Sequence, residues 1–165
     1  MQDRGIELTR EYLDAGGKPV TSVPIGSEVT VRLRVRALGN RSYSDVAIVD
    51  LLPGGFETVM QTPPPPANAG DADCEDCDGG ESQPVAATLA LPGSSFVPEH
   101  VEPREDRVLL YGNVGSGMQE FNYRIRAGNA GKFAVPPVYA EAMYERGVYA
   151  QGVGGTSVEV KAGAP

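Results

Sequence analysis

Between Val29 and Ala37 every second residue is apolar: Val29, Val31, Leu33, Val35 and Ala37 alternate with Thr30, Arg32, Arg34 and Arg36. A period of two sends successive side chains to opposite faces of a pleated strand, so this stretch predicts a strand with one buried face. Phe121, Tyr123, Ile125 and Ala127 alternate in the same way with Asn122, Arg124 and Arg126. The following Gly128-Asn129-Ala130-Gly131 contains residues that tolerate positive φ, and Lys132 to Val135 then reads as the returning strand of a hairpin. Pro136 and Pro137 have no N–H to donate, so Val138 to Met143 must start a new edge or switch sheets.

The remaining segments are shorter but of the same kind. Ile6, Leu8 and, less cleanly, Tyr12 alternate with Glu7, Thr9 and Glu11. Val46 to Leu52 is nearly continuously apolar, as a central strand covered on both faces would be. Phe56 to Met60, Arg107 to Val114, Val148 to Gln151 and Thr156 to Lys161 are also extended in pattern, and Gly, Pro and Asn clusters separate them. About eight strands without a convincing helix predict an all-β fold, an antiparallel two-sheet sandwich of the fibronectin-like or immunoglobulin-like class, in a single domain over 1–165.

One stretch does not fit. Residues 62–95 open with four prolines and carry scattered glycines without apolar periodicity, which predicts a mobile insertion within the domain. Only Val85 to Leu91 is apolar enough to return to the sheet, as a strand or a short helix. The insertion also holds most of the charge asymmetry. The chain has a net charge of -8, and six of its 22 acids, Asp71, Asp73, Glu75, Asp76, Asp78 and Glu81, lie there. Elsewhere acids and bases nearly balance. The overall sign and the absence of Lys or Arg between Arg41 and Arg104 argue against nucleic acid as a partner. Arg32, Arg34 and Arg36 are read as a solvated face paired with acids on a neighbouring strand, the alternative being a ligand surface. No apolar run approaches the length of a membrane span, and the first residues lack the basic and apolar regions of a signal peptide. The chain is thus expected to be either cytosolic or a piece of a longer exported protein.

Candidate chemistry is sparse. Cys74 and Cys77 form the one cysteine pair, and three readings compete: a local disulfide in an oxidising compartment, a zinc site completed in part by His100, or a redox centre. The disulfide is favoured, because acidic neighbours raise a thiol pKa and a zinc site needs more ligands than the sequence offers. Asp71, Asp73, Glu75 and Asp78 offer oxygen ligands for calcium, but Asp76 stands where an EF-hand loop requires glycine and Ser82 where it requires glutamate. A solubilising charge run is the plainer account. With one histidine and neither a Gly-x-Ser-x-Gly elbow nor a phosphate-binding glycine loop, the chain is not expected to be an enzyme.

Several stretches taken in order, GIELTREYLD, the Val29 to Leu38 strand, DVAIVDLLPGGFE, PREDRVLLYG and FNYRIRAGNAGKFAVPPVYAEAMYERGVYAQG, resemble the C-terminal domain of bacterial α2-macroglobulins. The insertion with its CEDC is where this sequence departs from that pattern. The resemblance implies a macroglobulin-type sandwich at the end of a large periplasmic chain of serial β-domains, with an inner-membrane anchor on the parent left open. Such proteins act as broad-spectrum protease traps, in which a cut bait region triggers rearrangement and a thioester in a Cys-x-Glu-Gln motif of another domain captures the attacker. Neither Cys74 nor Cys77 stands in such a motif. The implied role is therefore non-catalytic packing on neighbouring domains. The implied partners are those domains, target proteases reached through the parent, and periplasmic partner proteins; no cofactor is implied. Tyr139, Glu141, Met143, Tyr144 and Tyr149, which follow the Pro-Pro step, are the candidate contact residues, with inward-facing core as the competing account for half of them. The alternative function is an adhesion or scaffold module that binds partners through its acidic loop.

Overall fold

The computed structural model describes residues 2–61 and 88–163, with side chains from Arg4 onward. Thirteen strands are present among the described residues: β1 (Gln2–Arg4), β2 (Ile6–Leu13), β3 (Ser22–Pro24), β4 (Glu28–Ala37), β5 (Tyr43–Leu51), β6 (Phe56–Val59), β7 (His100–Pro103), β8 (Arg107–Val114), β9 (Gln119–Ala127), β10 (Gly131–Ala134), β11 (Tyr139–Ala142), β12 (Tyr149–Gln151) and β13 (Ser157–Lys161). They form a four-stranded sheet ordered β2-β4-β9-β6, a six-stranded sheet ordered β1-β12-β11-β5-β8-β7 and a small sheet ordered β10-β13-β3. All pairings between strands are antiparallel except β13 with β3.

The two large sheets enclose the core, and the period-two pattern places residues there as the sequence predicts. Leu8 pairs with Val35 and Leu33 with Phe121 on the first sheet, while Ile48 lies between Ala140 and Leu110 on the second. All of these are buried. Burial of each large aliphatic contributes about 1.5–3 kcal/mol, so the paired inner faces are the main source of cohesion.

The first strands bind the sheets together at one edge. β1 pairs with β12 on the six-stranded sheet, and after Gly5 the chain continues as β2 on the four-stranded sheet. Gly5 has φ +86°, and a Cβ there would come within 2.9 Å of Tyr43 Oη and 3.0 Å of Val148 Cγ1. The corner therefore requires glycine for both backbone and space.

Three expectations are decided by the strand pairing. The hairpin between β9 and β10 does not form, because both edges of β9 are occupied, by β4 and by β6. Gly128 N donates to Gly55 O at 2.8 Å, which ties the turn to β6 and diverts β10 onto β13. Phe133 then covers Gly55, where a Cβ would meet its ring at 2.5 Å. Second, of the two outcomes expected at Pro136–Pro137 the chain takes the sheet switch, and β11 becomes an interior strand between β12 and β5. Third, the end of the expected insertion belongs to the packed domain. Leu89 and Phe96 are buried, and Leu91 and Ser95 N–H groups donate to the carbonyls of Asn122 and Glu120 at 2.7 and 2.8 Å, extending the coverage of β9 beyond β6.

Candidate functional site

The five candidate contact residues all lie outside the core. On β11 and β12 the inward positions are held by Ala140, Ala142 and Ala150, which are buried, and the outward ones by Tyr139, Glu141 and Tyr149. Glu141 is directly opposite Tyr149, and Tyr139 Oη donates to Glu141 Oε2 at 2.9 Å. Partial burial, together with that hydrogen bond and the Glu141 charge, pushes the Tyr139 hydroxyl above its ordinary pKa. Met143 and Tyr144 occupy the turn that follows β11, with Tyr144 80% exposed. This turn is fixed by its backbone: Met143 N donates to Asp45 O at 3.0 Å, Glu145 N to Ala142 O at 3.3 Å and Val148 N to Glu145 O at 3.2 Å. Asp45 itself sits at a register shift in β5 with φ +53°. An irregular strand thus holds an aromatic side chain out into solvent.

Beneath this surface lies a polar network that the alternation pattern concealed. Asp50 is fully buried on β5 and pairs with Arg10 on β2, both side chains being almost inaccessible. Tyr123 on β9 donates to the other Asp50 oxygen, and Arg10 also donates to the carbonyls of Leu51 and Pro136. Tyr12 completes the shell, its ring 5.2 Å from the Arg10 guanidinium, while its buried hydroxyl has no hydrogen-bond partner among the described residues. The two charges respond unequally. Complete burial pushes the Asp50 carboxyl up despite Arg10 and Tyr123, whereas for Arg10 burial, the largest single influence, is outweighed by the charge and hydrogen bond of Asp50 acting together with Tyr12 and Tyr123, so the proton is held more tightly. A signal for this network existed: an aspartate at an inward position of the Val46 to Leu52 run, and an arginine in step with Ile6, Leu8 and Tyr12.

The order of these elements agrees with known proteins. The family model of the bacterial alpha-2-macroglobulin MG10 domain matches residues 5–146. This chain belongs to that family. It is 46% identical over 153 residues to an alpha-2-macroglobulin homolog of Yersinia pestis, covering 91% of the chain, and 32% identical over 155 residues to an alpha-2-macroglobulin of Rickettsia conorii, covering 94%. The chain spans only 7% of the length of these curated relatives. Native alpha-2-macroglobulin of Escherichia coli, solved from domain MG7 to the C-terminus, superposes on 97% of the chain with a TM-score of 0.70 and 27% identity, and the match takes up 24% of that chain. The MG10 fold therefore occurs there as one part of a larger, multidomain chain. Membership makes this chain a domain of an alpha-2-macroglobulin and not an enzyme.

The other candidate residues of this MG10 domain are placed as follows by the described residues. Cys74, Cys77, Asp71, Asp73, Glu75 and Asp78 lie outside the described residues, so the disulfide and metal readings have no geometry. His100 is on β7, its ring 5.8 Å from that of Tyr111, and no group of metal-ligating side chains occurs among the described residues. A cleft of about 690 Å³ between β6 and the β7–β8 turn is lined by Phe56, Glu57, Thr58, Met60, Arg104 and Glu105. Arg32, Arg34 and Arg36 meet Glu7, Glu11 and Glu120 on neighbouring strands, in keeping with a solvated, paired face.

Proposed function

We propose that this chain is the non-catalytic C-terminal module of a bacterial, periplasmic alpha-2-macroglobulin-like broad-spectrum protease inhibitor. It docks on a neighbouring domain of the parent through the Met143–Tyr144 turn and the adjoining Tyr139, Glu141 and Tyr149. The observation that carries this reading is the turn itself, where Tyr144 is 80% and Met143 49% exposed on a backbone held by hydrogen bonds to β5 and within the turn. Aromatic and methionine side chains are enriched at interface cores, and a fixed backbone lowers the entropy lost on docking. Family membership supplies the parent, and the small share of the relatives' length that the chain covers supplies the neighbours.

The test uses the full-length parent carrying Tyr144→Ala. We expect a looser resting form, seen as a larger radius of gyration by small-angle scattering, and weaker protection of a protein substrate from an added protease. A resting form and an inhibition curve identical to those of the unaltered protein overturn the docking role. Cell fractionation tests the compartment, with recovery in the cytosolic fraction as the contrary result.

A further inference from the structure

The two outer faces of the sandwich differ in kind. On the four-stranded sheet the outward positions carry a lattice of ion pairs, Arg34 to Glu120 at 2.8 Å and Arg126 to Glu28 at 3.0 Å among them. On the six-stranded sheet the outward positions of the two central strands include an apolar stretch, Ala47, Val49 and Leu51 on β5 and Leu109 and Tyr111 on β8, with Asp45, Arg107 and Asn113 at its ends. Strand register makes these residues one surface: Tyr139, Val49 and Leu109 form one cross-strand row, and Glu141, Ala47 and Tyr111 the next. None of these apolar side chains belongs to the core or packs against it. An antiparallel strand exposed on one side should alternate apolar with polar, as β4 does, whereas β5 is apolar on both sides from Val46 to Val49. Its sequence is that of a strand covered twice, and the described residues of this chain cover it once.

We infer that the outer face of the six-stranded sheet, centred on Val49, Leu109 and Tyr111, is a second docking surface, occupied by another folded domain of the same polypeptide. The inference rests on the family reading above and extends the contact from the Met143–Tyr144 turn across two further strands. Two arguments select this occupant over a second copy of the chain. The apolar rows are interrupted by Glu141 and bordered by Glu102 and Arg107, and this mixture fits interfaces between domains of one chain, which are more polar than those of obligate dimers. The relatives are also far longer than this chain, and a tethered neighbour is present at an effective concentration on the order of millimolar.

Hydroxyl-radical footprinting read by mass spectrometry tests this on the full-length parent and on the 165-residue chain side by side. We expect Leu109 and Tyr111 to be oxidised severalfold more slowly in the parent. In the parent carrying Leu109→Lys, Tyr111 should become nearly as reactive as in the short chain, while Thr9→Lys on the charged face leaves it protected. Equal oxidation of Leu109 and Tyr111 in both proteins, with Met143 and Tyr144 protected, overturns the second surface and leaves the turn as the contact. Equal oxidation at all four positions overturns both. Protection that appears in the short chain as its concentration rises assigns the face to self-association and overturns the occupant named here, as does unchanged Tyr111 protection in Leu109→Lys.

Discussion

Tyr123 Oη on β9 donates to Asp50 Oδ2 on β5 at 2.6 Å, joining the two sheets through the middle of an otherwise apolar core. With Arg10 on the other carboxylate oxygen, Asp50 is held from two strands of the facing sheet. Taking both charges out of water costs several kcal/mol per ion, and their mutual attraction, the Tyr123 hydrogen bond and the carbonyl partners of Arg10 offset that. Breaking the pair is therefore expected to be much worse than replacing it. Asp50→Ala should lower stability by about 3–5 kcal/mol, and Tyr123→Phe by about 1.5–3 kcal/mol, as for a hydrogen bond to a charged group. The double variant Arg10→Met, Asp50→Leu should lie within a few kcal/mol of the unaltered chain on either side. Urea unfolding of these proteins, together with the single variants Arg10→Met and Asp50→Leu, decides it, and additive losses in the double variant would show that the two groups do not act as a pair.

The same network sets a pH dependence. Burial raises the Asp50 carboxyl above its value in the unfolded chain, so between the two values the folded state binds more protons than the unfolded one. That contribution is complete below the unfolded value, near pH 4, and is lost as pH rises through the raised folded value. Relative to Asp50→Asn, which does not titrate, the unaltered chain should be more stable on the acid side and lose that advantage on going toward neutral pH. Chemical denaturation of both proteins across this range measures the difference, and a difference that grows with rising pH would give the opposite sign.

The charged outer face should behave quite differently. Arg34 lies 2.8 Å from Glu120 and 3.6 Å from Glu11, but its side chain is 35% exposed. Exposed ion pairs are screened and worth about 0–1 kcal/mol. Arg34→Ala is expected to cost no more than about 1 kcal/mol at low salt and close to nothing in molar salt. Thermal melts at the two salt concentrations provide the check, and a salt-independent loss would mean that packing of the Arg34 stem matters more than its charge.

How far these relationships are visible in the sequence depends on the physical scale of the signal. The strands β4 and β9 and the sandwich class follow from local alternation, since period-two burial is written residue by residue. Pairing is not local. Nothing in Gly128 to Gly131 announces that Gly55 will take the turn's N–H groups and that β6 will hold the edge a hairpin would have used. The network at Asp50 fell between these scales: each residue sat in step with apolar neighbours, but its partner lay forty positions away. The outward face of β5 was legible as composition, a run too apolar for a strand with one wet side, although the sequence could not say what would cover it.

Beside the Met143–Tyr144 turn, Asp45 holds φ +53° while its carbonyl accepts from Met143 N at 3.0 Å. The left-handed region costs an L-residue roughly 1–2 kcal/mol, least for Asn and Asp, and a β-branched residue fits it worst. Asp45→Val should therefore destabilise the chain by at least about 1 kcal/mol, whereas Asp45→Gly should be near neutral, because relief of strain is opposed by the greater freedom of glycine in the unfolded state. Hydrogen exchange separates a global effect from a local one. If the bulge positions the turn, Asp45→Val accelerates exchange at the Met143 amide more than at Ile48, and Asp45→Gly leaves Met143 protected. Equal acceleration at both amides would place the effect in the fold as a whole and leave the Met143–Tyr144 turn without a dedicated support.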